Sequence, residues 1–292
     1  MVADDQAAAY AYCLQLAREH YENFPVASRL LPSAMRPHVA AVYAFARKAD
    51  DFADEPGLQP DERLARLDDW HARLTRAVTT GPAGRSGDDL IFAAVGESIR
   101  TLDLPVSLFE DLLSAFRQDV TTKRYETWPD VLDYCRRSAN PVGRLVLRIA
   151  GYRGIELDRQ SDAICTALQL TNFWQDLERD WRIGRIYAPR VDRERCGARE
   201  TDLEARRLNS EWRQLMSELV TRTRALFDEG RPLMDALRGR LKWELRLTWL
   251  GGVRILDRVE AVGYDVFRSR PTLRSGDVPA LAWQAVRWRR GP

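Results

Sequence analysis

Apolar side chains recur at intervals of three and four along nearly all of this 292-residue chain, which is the period of a helix and not of a strand. The pattern predicts helices over Ala7–Tyr21, Met35–Asp54, Asp61–Thr79, Asp88–Leu102, Val106–Val120 and Trp128–Gly151. It continues with Asp158–Trp181, Thr201–Glu229, Pro232–Leu237, Leu241–Val262 and Val278–Trp288. Breaks fall at Pro25, at Leu31-Pro32-Ser33, at Pro56-Gly57, in the glycine-rich stretch 81–87 and in a loop from Gly184 to Gly197. Ser33 has the chemistry of an N-cap, and Pro129 stands where a first helical turn favours proline. No run alternates with period two and no internal repeat is visible. An all-α chain of one domain, 1–292, follows.

Two of these helices carry polar groups where the apolar pattern would not ask for them. In YAFARKADDFADE, Tyr43, Arg47, Asp50 and Asp54 are three or four residues apart, with Asp51 and Glu55 alongside. In LQLTNFWQDLERDWRIGRIYAP, which runs from Leu168 to Pro189, Gln169, Asn172, Asp176 and Asp180 form a second stripe. At about 100° per residue each set lies on one face of its helix. Such spacing also arises on solvated faces through i,i+4 ion pairs. Here the surroundings are alanine and aromatic residues, and amides extend the second stripe. A buried carboxylate is costly unless paired or bound to a metal. Oxygen ligands at this density suit Mg²⁺, which shares its coordination with water and phosphate.

Composition narrows the alternatives. A net charge of +2 gives no field for nucleic acid, and none is expected as a partner. No stretch reaches the roughly 18 apolar residues of a membrane span, and Asp4-Asp5 is unlike the start of a secretory signal, so cytoplasmic residence is expected. Cys13, Cys135, Cys165 and Cys196 are scattered without zinc or disulfide spacing. The three histidines do not supply the paired Glu-x-x-His of a di-iron bundle. Neither phosphate-binding glycine fingerprint is present. At the C-terminus, Trp283, Arg287, Trp288, Arg289 and Arg290 form a basic, aromatic end that reads either as a solvated terminus or as a membrane-surface contact.

Together, YAFARKADDFADE, LQLTNFWQDLERD and GRIYAP resemble the two aspartate-rich motifs, and the segment after the second, of the squalene/phytoene synthase family. The resemblance covers the chain from about His20 to the last helix. It implies an all-α class I isoprenoid (terpenoid) synthase fold with a central cavity, Mg²⁺ as cofactor and an isoprenoid diphosphate as substrate. Carried over by position, Asp50, Asp54, Asn172, Asp176 and Asp180 would bind Mg²⁺, supported by Gln169. Arg47 would meet diphosphate with His20 near it. Tyr43 and Tyr134 would line the reaction cavity, and Arg185 and Tyr187 would lie in a closing flap.

Three details resemble one branch of the family, the one acting on presqualene diphosphate and water: ENFPVASRLLP, Asn140-Pro141 in SANPVGRL, and Phe173-Trp174 in NFWQD. Aromatic faces at Phe24, Tyr43, Tyr134, Phe173 and Trp174 would stabilise a carbocation. Asn140, Tyr43 and the released diphosphate are the candidates for placing the water. So apolar a substrate makes peripheral membrane contact, and hand-over from a neighbouring pathway synthase, natural expectations.

Overall fold

The computed structural model describes residues 3–19, 30–55, 57–81, 84, 87–206 and 208–288. Among them are fourteen α-helices, one short 3₁₀ turn and no strand, as an all-α chain requires. The helices are α1 (Ala3–Glu19), α2 (Arg36–Asp54), α3 (Pro60–Thr79), α4 (Asp88–Leu102), α5 (Val106–Thr121), α6 (Trp128–Ser138) and α7 (Asn140–Ile149). There follow α8 (Ile155–Arg182), α9 (Arg190–Cys196), α10 (Glu200–Glu204), α11 (Ser210–Gly230), α12 (Leu233–Ala236), α13 (Gly239–Ala261) and α14 (Val278–Val286). They group into two compact units: Met1–Thr121 with Pro141–Asp158, and Thr122–Asn140 with Arg159–Pro292.

The first unit is built on α2, which packs against α1, α3, α4 and α5. Its centre is aromatic. Phe45 of α2 lies 5.9 Å from Trp70, 6.2 Å from Phe92 and 5.4 Å from Phe109, and Trp70 and Phe92 are 4.4 Å apart. All four rings are buried. They fix which way α2 faces: Phe45, Ala49 and Ala53 point inward, one helical turn apart.

The second unit is built on the body of α8. Two glycines let other helices come close to it. A Cβ at Gly230 of α11 would fall 2.7 Å from the Gln160 carbonyl oxygen, and one at Gly252 of α13 would fall 2.7 Å from the Leu168 side chain. Trp174 is fully buried on the packed side of α8. Its indole N–H donates to Thr223 Oγ1 of α11 at 2.8 Å, and its ring stacks on Trp128 at 6.5 Å.

Four expectations are corrected. Ser33 does not cap α2; it lies in a turn closed by Met35 N–H to the Pro32 carbonyl (3.0 Å), and the helix starts at Arg36-Pro37. The run Trp128–Gly151 is two helices. Pro141 lacks the N–H that a continuous helix needs, and Asn140 begins a new helix after Ala139. The run Thr201–Glu229 is likewise two, because the Asn209 side chain accepts from Trp212 N–H at 3.0 Å and caps α11. The expected loop from Gly184 to Gly197 contains α9.

Candidate active site

On α2, Tyr43, Arg47, Asp50 and Asp54 occupy the side turned away from Phe45 and Ala49. The Asp50 side chain keeps 43% of its accessible surface, so an ion can reach it. Burial pushes its acid up to about 7; the neighbouring charge of Asp54 adds to this, Arg47 opposes it, and Asp119 and Asp51 add smaller amounts. The Arg47 guanidinium sits 2.7 Å from Asp51 and 3.9 Å from Asp50, so Asp51 takes most of its charge. Burial raises the Tyr43 phenol above its ordinary range, with Arg47 pulling the other way, and it stays a hydrogen-bond donor at neutral pH.

On α8, Gln169, Asp176 and Asp180 are half-buried and Asn172 is exposed. Asp176 is held by both arms of the Arg270 guanidinium: Nε donates to Oδ1, and Nη2 donates to Oδ2 at 2.9 Å. The next residue along the chain repeats the contact, since the Gln175 amide donates to the Pro271 carbonyl. A segment near the C-terminus is thereby laced along this part of α8.

Beside that stripe four rings converge in the second unit. Phe173 and Tyr187 stack at 3.6 Å with planes 4° apart. Tyr134 lies 6.0 Å from Phe173 and 5.9 Å from Tyr187, and Tyr125 is 5.6 Å from both tyrosines. A short backbone pairing holds Tyr187 in place: Arg124 bridges Ile186, Ile186 N–H donates to the Lys123 carbonyl, and Arg190 N–H donates to the Tyr125 carbonyl. Arg185 is buried, and its N–H donates to the Asp180 carbonyl at 2.7 Å. Asn140 is buried too, its side-chain oxygen accepting from Thr166 at 2.9 Å.

The structure therefore gathers Tyr134, Phe173 and Tyr187 into one cluster and keeps each aspartate stripe on one helix face. It assigns Trp174, expected beside the substrate, to packing, because its ring is enclosed and its one donor is spent on Thr223. His20 and Phe24 lie outside the described residues. Three residues were not singled out from sequence. Asp119 is buried on α5 on the same apolar stripe as Leu108, Leu112 and Ala115, and an acid at that register was the available signal. Tyr125 stands in a short loop with no periodicity to mark it, and Arg270 lies 94 residues from its partner.

Among the described residues no three His, Cys, Asp or Glu side chains gather into a group that could hold a metal ion by themselves. The donor chemistry still fits Mg²⁺. That ion is held through one or two carboxylates with water and substrate phosphate completing its shell, and Asp50 is an oxygen donor whose pKa is raised by burial and then by the charge of Asp54, both of which a bound cation would offset.

A family model described as squalene/phytoene synthase matches residues 17–277. The hydroxysqualene synthase of Rhodopseudomonas palustris is 37% identical over 213 residues, covering 73% of this chain and 70% of that one. The hydroxysqualene synthase of Zymomonas mobilis is 39% identical over 208 residues, covering 70% and 67%. Among solved structures, a squalene synthase from Alicyclobacillus acidocaldarius superposes with a TM-score of 0.82 at 43% identity, over 90% of this chain and 97% of that one.

Proposed function

Since the chain belongs to the squalene/phytoene synthase family, a family of enzymes, we propose that it converts presqualene diphosphate and water to hydroxysqualene and diphosphate, in squalene and hopanoid biosynthesis. The observation that carries the diphosphate half is Asp50. A carboxylate whose pKa is raised by burial and by a second carboxylate beside it is unfavourable as the anion until a cation arrives, which is a feature of a binding site more than of a stabilising one. The likeness to relatives named hydroxysqualene synthase supports the choice of product.

Asp50 and Asp54 on α2, and Asn172, Asp176 and Asp180 on α8 with Gln169 in support, are the residues proposed to hold Mg²⁺. When bound, the ion would screen the diphosphate charge as it departs. Arg47 and Arg185 offer guanidinium groups to phosphate oxygens, and Tyr43 offers a protonated hydroxyl. His20 and Phe24 stay in the proposal on the resemblance alone. Loss of diphosphate leaves a cyclopropylcarbinyl cation, and the faces of Tyr134, Phe173 and Tyr187 supply quadrupoles to stabilise it while it rearranges. Their tight stacking keeps stray water away.

The Asn140 oxygen is engaged by Thr166, so its amide NH₂ is the end available to hold a water molecule. Attack by that water forms the C–O bond, and its proton passes to the released diphosphate. A single catalytic domain, cytoplasmic residence and substrate supply by a neighbouring pathway synthase belong to the same proposal. No helix among the described residues is long and apolar enough to cross a membrane.

The test is product analysis. Purified protein with Mg²⁺ is given presqualene diphosphate or farnesyl diphosphate, and the lipid is extracted. Hydroxysqualene from presqualene diphosphate is the expected result. Presqualene diphosphate accumulating from farnesyl diphosphate would replace this reading with that of a farnesyl-joining synthase.

A further inference from the structure

A helix on the surface of a globular protein ordinarily turns charged residues to solvent. The last helix, α14, does not: Gln284 is its one polar residue between Val278 and Val286. Leu281 and Ala285 are buried, while Val278 is 62% exposed, Trp283 57% and Val286 63%. A second exposed tryptophan, Trp243 near the start of α13, belongs to the same face. The Arg246 guanidinium lies 5.2 Å from the rings of both Trp243 and Trp288 and donates to the Ala285 carbonyl at 3.1 Å, which ties Trp243 to the C-terminal end of α14.

The charge around this face is mostly positive, with Asp235 as an inner acid 3.8 Å from Arg246. Lys242 adjoins Trp243, and the Arg287 guanidinium is stacked 4.3 Å over the Trp283 ring. No carboxylate occurs in the sequence from 278 to 292 or from 238 to 243. Exposed aliphatic groups, tryptophans with an apolar body and a polar N–H, and a rim of cations make up a helix suited to lie in a headgroup layer.

We propose that the face formed by α14 and the start of α13 docks this protein on an anionic lipid bilayer. The inference does not depend on the reaction proposed above. Trp283 and Val286 enter the boundary between headgroups and acyl chains, and Lys242 and Arg287 meet lipid phosphates. The cation-rimmed composition selects this occupant over a second copy of the chain, which would bring the same positive rim to the contact.

The test is co-sedimentation of the full-length protein with vesicles of phosphatidylcholine alone or of phosphatidylcholine mixed with phosphatidylglycerol. Partition should require the anionic lipid and weaken with added salt. Trp283→Ser combined with Val286→Ser should lower the partition coefficient by about tenfold or more. Lys242→Gln combined with Arg287→Gln should lower it by about tenfold while leaving Trp283 and Val286 in place. Ile155→Ser, at a residue 91% exposed in the other unit, should change nothing. Circular dichroism confirms that each variant is folded, and the two charge substitutions, at accessible positions, serve if the apolar pair does not fold. Equal binding to both vesicle types, or full binding by either double variant, overturns the proposal. So does a wild-type dimer, seen by light scattering, that Trp283→Ser with Val286→Ser converts to monomer.

Discussion

The aspartate stripes of α2 and α8 share a spacing and differ in how their charge is finished. On α2 the central carboxylate, Asp50, has its nearest guanidinium 3.9 Å away and engaged with Asp51, and it keeps its proton up to about 7. On α8 the corresponding Asp176 is gripped by both arms of Arg270. On α2 burial and a second carboxylate disfavour the charge of Asp50, and on α8 a cation is already in place at Asp176. Identical D-x-x-x-D spacing thus gives one side chain that gains from any arriving cation and one that must first give up a partner.

The contrast breaks most sharply at Asp176. Asp176→Asn should lower kcat/KM by at least about 100-fold with helical circular dichroism unchanged. Full turnover in that variant would remove the α8 stripe from the chemistry. Arg270→Gln comes next. It leaves Asp176 mostly buried without a counter-ion, so the metal-free protein should lose about 1–3 kcal/mol, given that Arg270 is a third exposed. The same variant should bind Mg²⁺ more tightly in the absence of substrate, read by calorimetric titration. Unchanged affinity would mean that Arg270 does not compete with the ion.

Trp174→Phe separates the packed side of α8 from its stripe. Loss of the indole contact to Thr223 should cost about 1–2 kcal/mol in denaturant unfolding while leaving KM near its wild-type value. The last test concerns pH. Because the folded Asp50 acid stands above its ordinary value, the folded state binds a proton that the unfolded chain has released between about 4 and 7. Stability from this group is therefore greatest at low pH and declines as pH rises through 7. In metal-free protein, Asp50→Asn should remove that decline, so its melting temperature should gain on wild type from pH 5 to pH 8. A constant difference would show that burial does not disfavour the charge.

Periodicity alone placed both stripes, because side-chain direction along a helix follows from spacing, and Asp88–Leu102 has the same ends in sequence and structure. What spacing does not carry is the partner. Arg270 and Asp119 reach their aspartates through packing between elements remote in sequence, and neither Asp176 nor Asp50 announces which residue balances or aggravates its charge. Helix ends were lost for a related reason. At Pro141 a missing N–H and at Asn209 a side-chain cap interrupt the helix, and the apolar pattern runs on past both as though nothing had happened. Adjacency does not carry direction either: Trp174 follows Phe173, but neighbours on a helix point about 100° apart, and the Trp174 indole turns to Thr223.

The chain also visits its two units in an interleaved order. It leaves the first after Thr121, spends 122–140 in the second, returns for 141–158, and departs again within α8. The returning stretch is closed on itself by both guanidinium arms of Arg148 on Asp158, and it is tied to α4 by Arg153, which donates to the Leu102 carbonyl at 2.9 Å. No single cut of the polypeptide therefore yields the first unit whole. Anyone seeking to express it alone would have to splice 141–158 back onto 121 through an artificial linker, and a growing chain on the ribosome cannot complete that unit until Asp158 has been added.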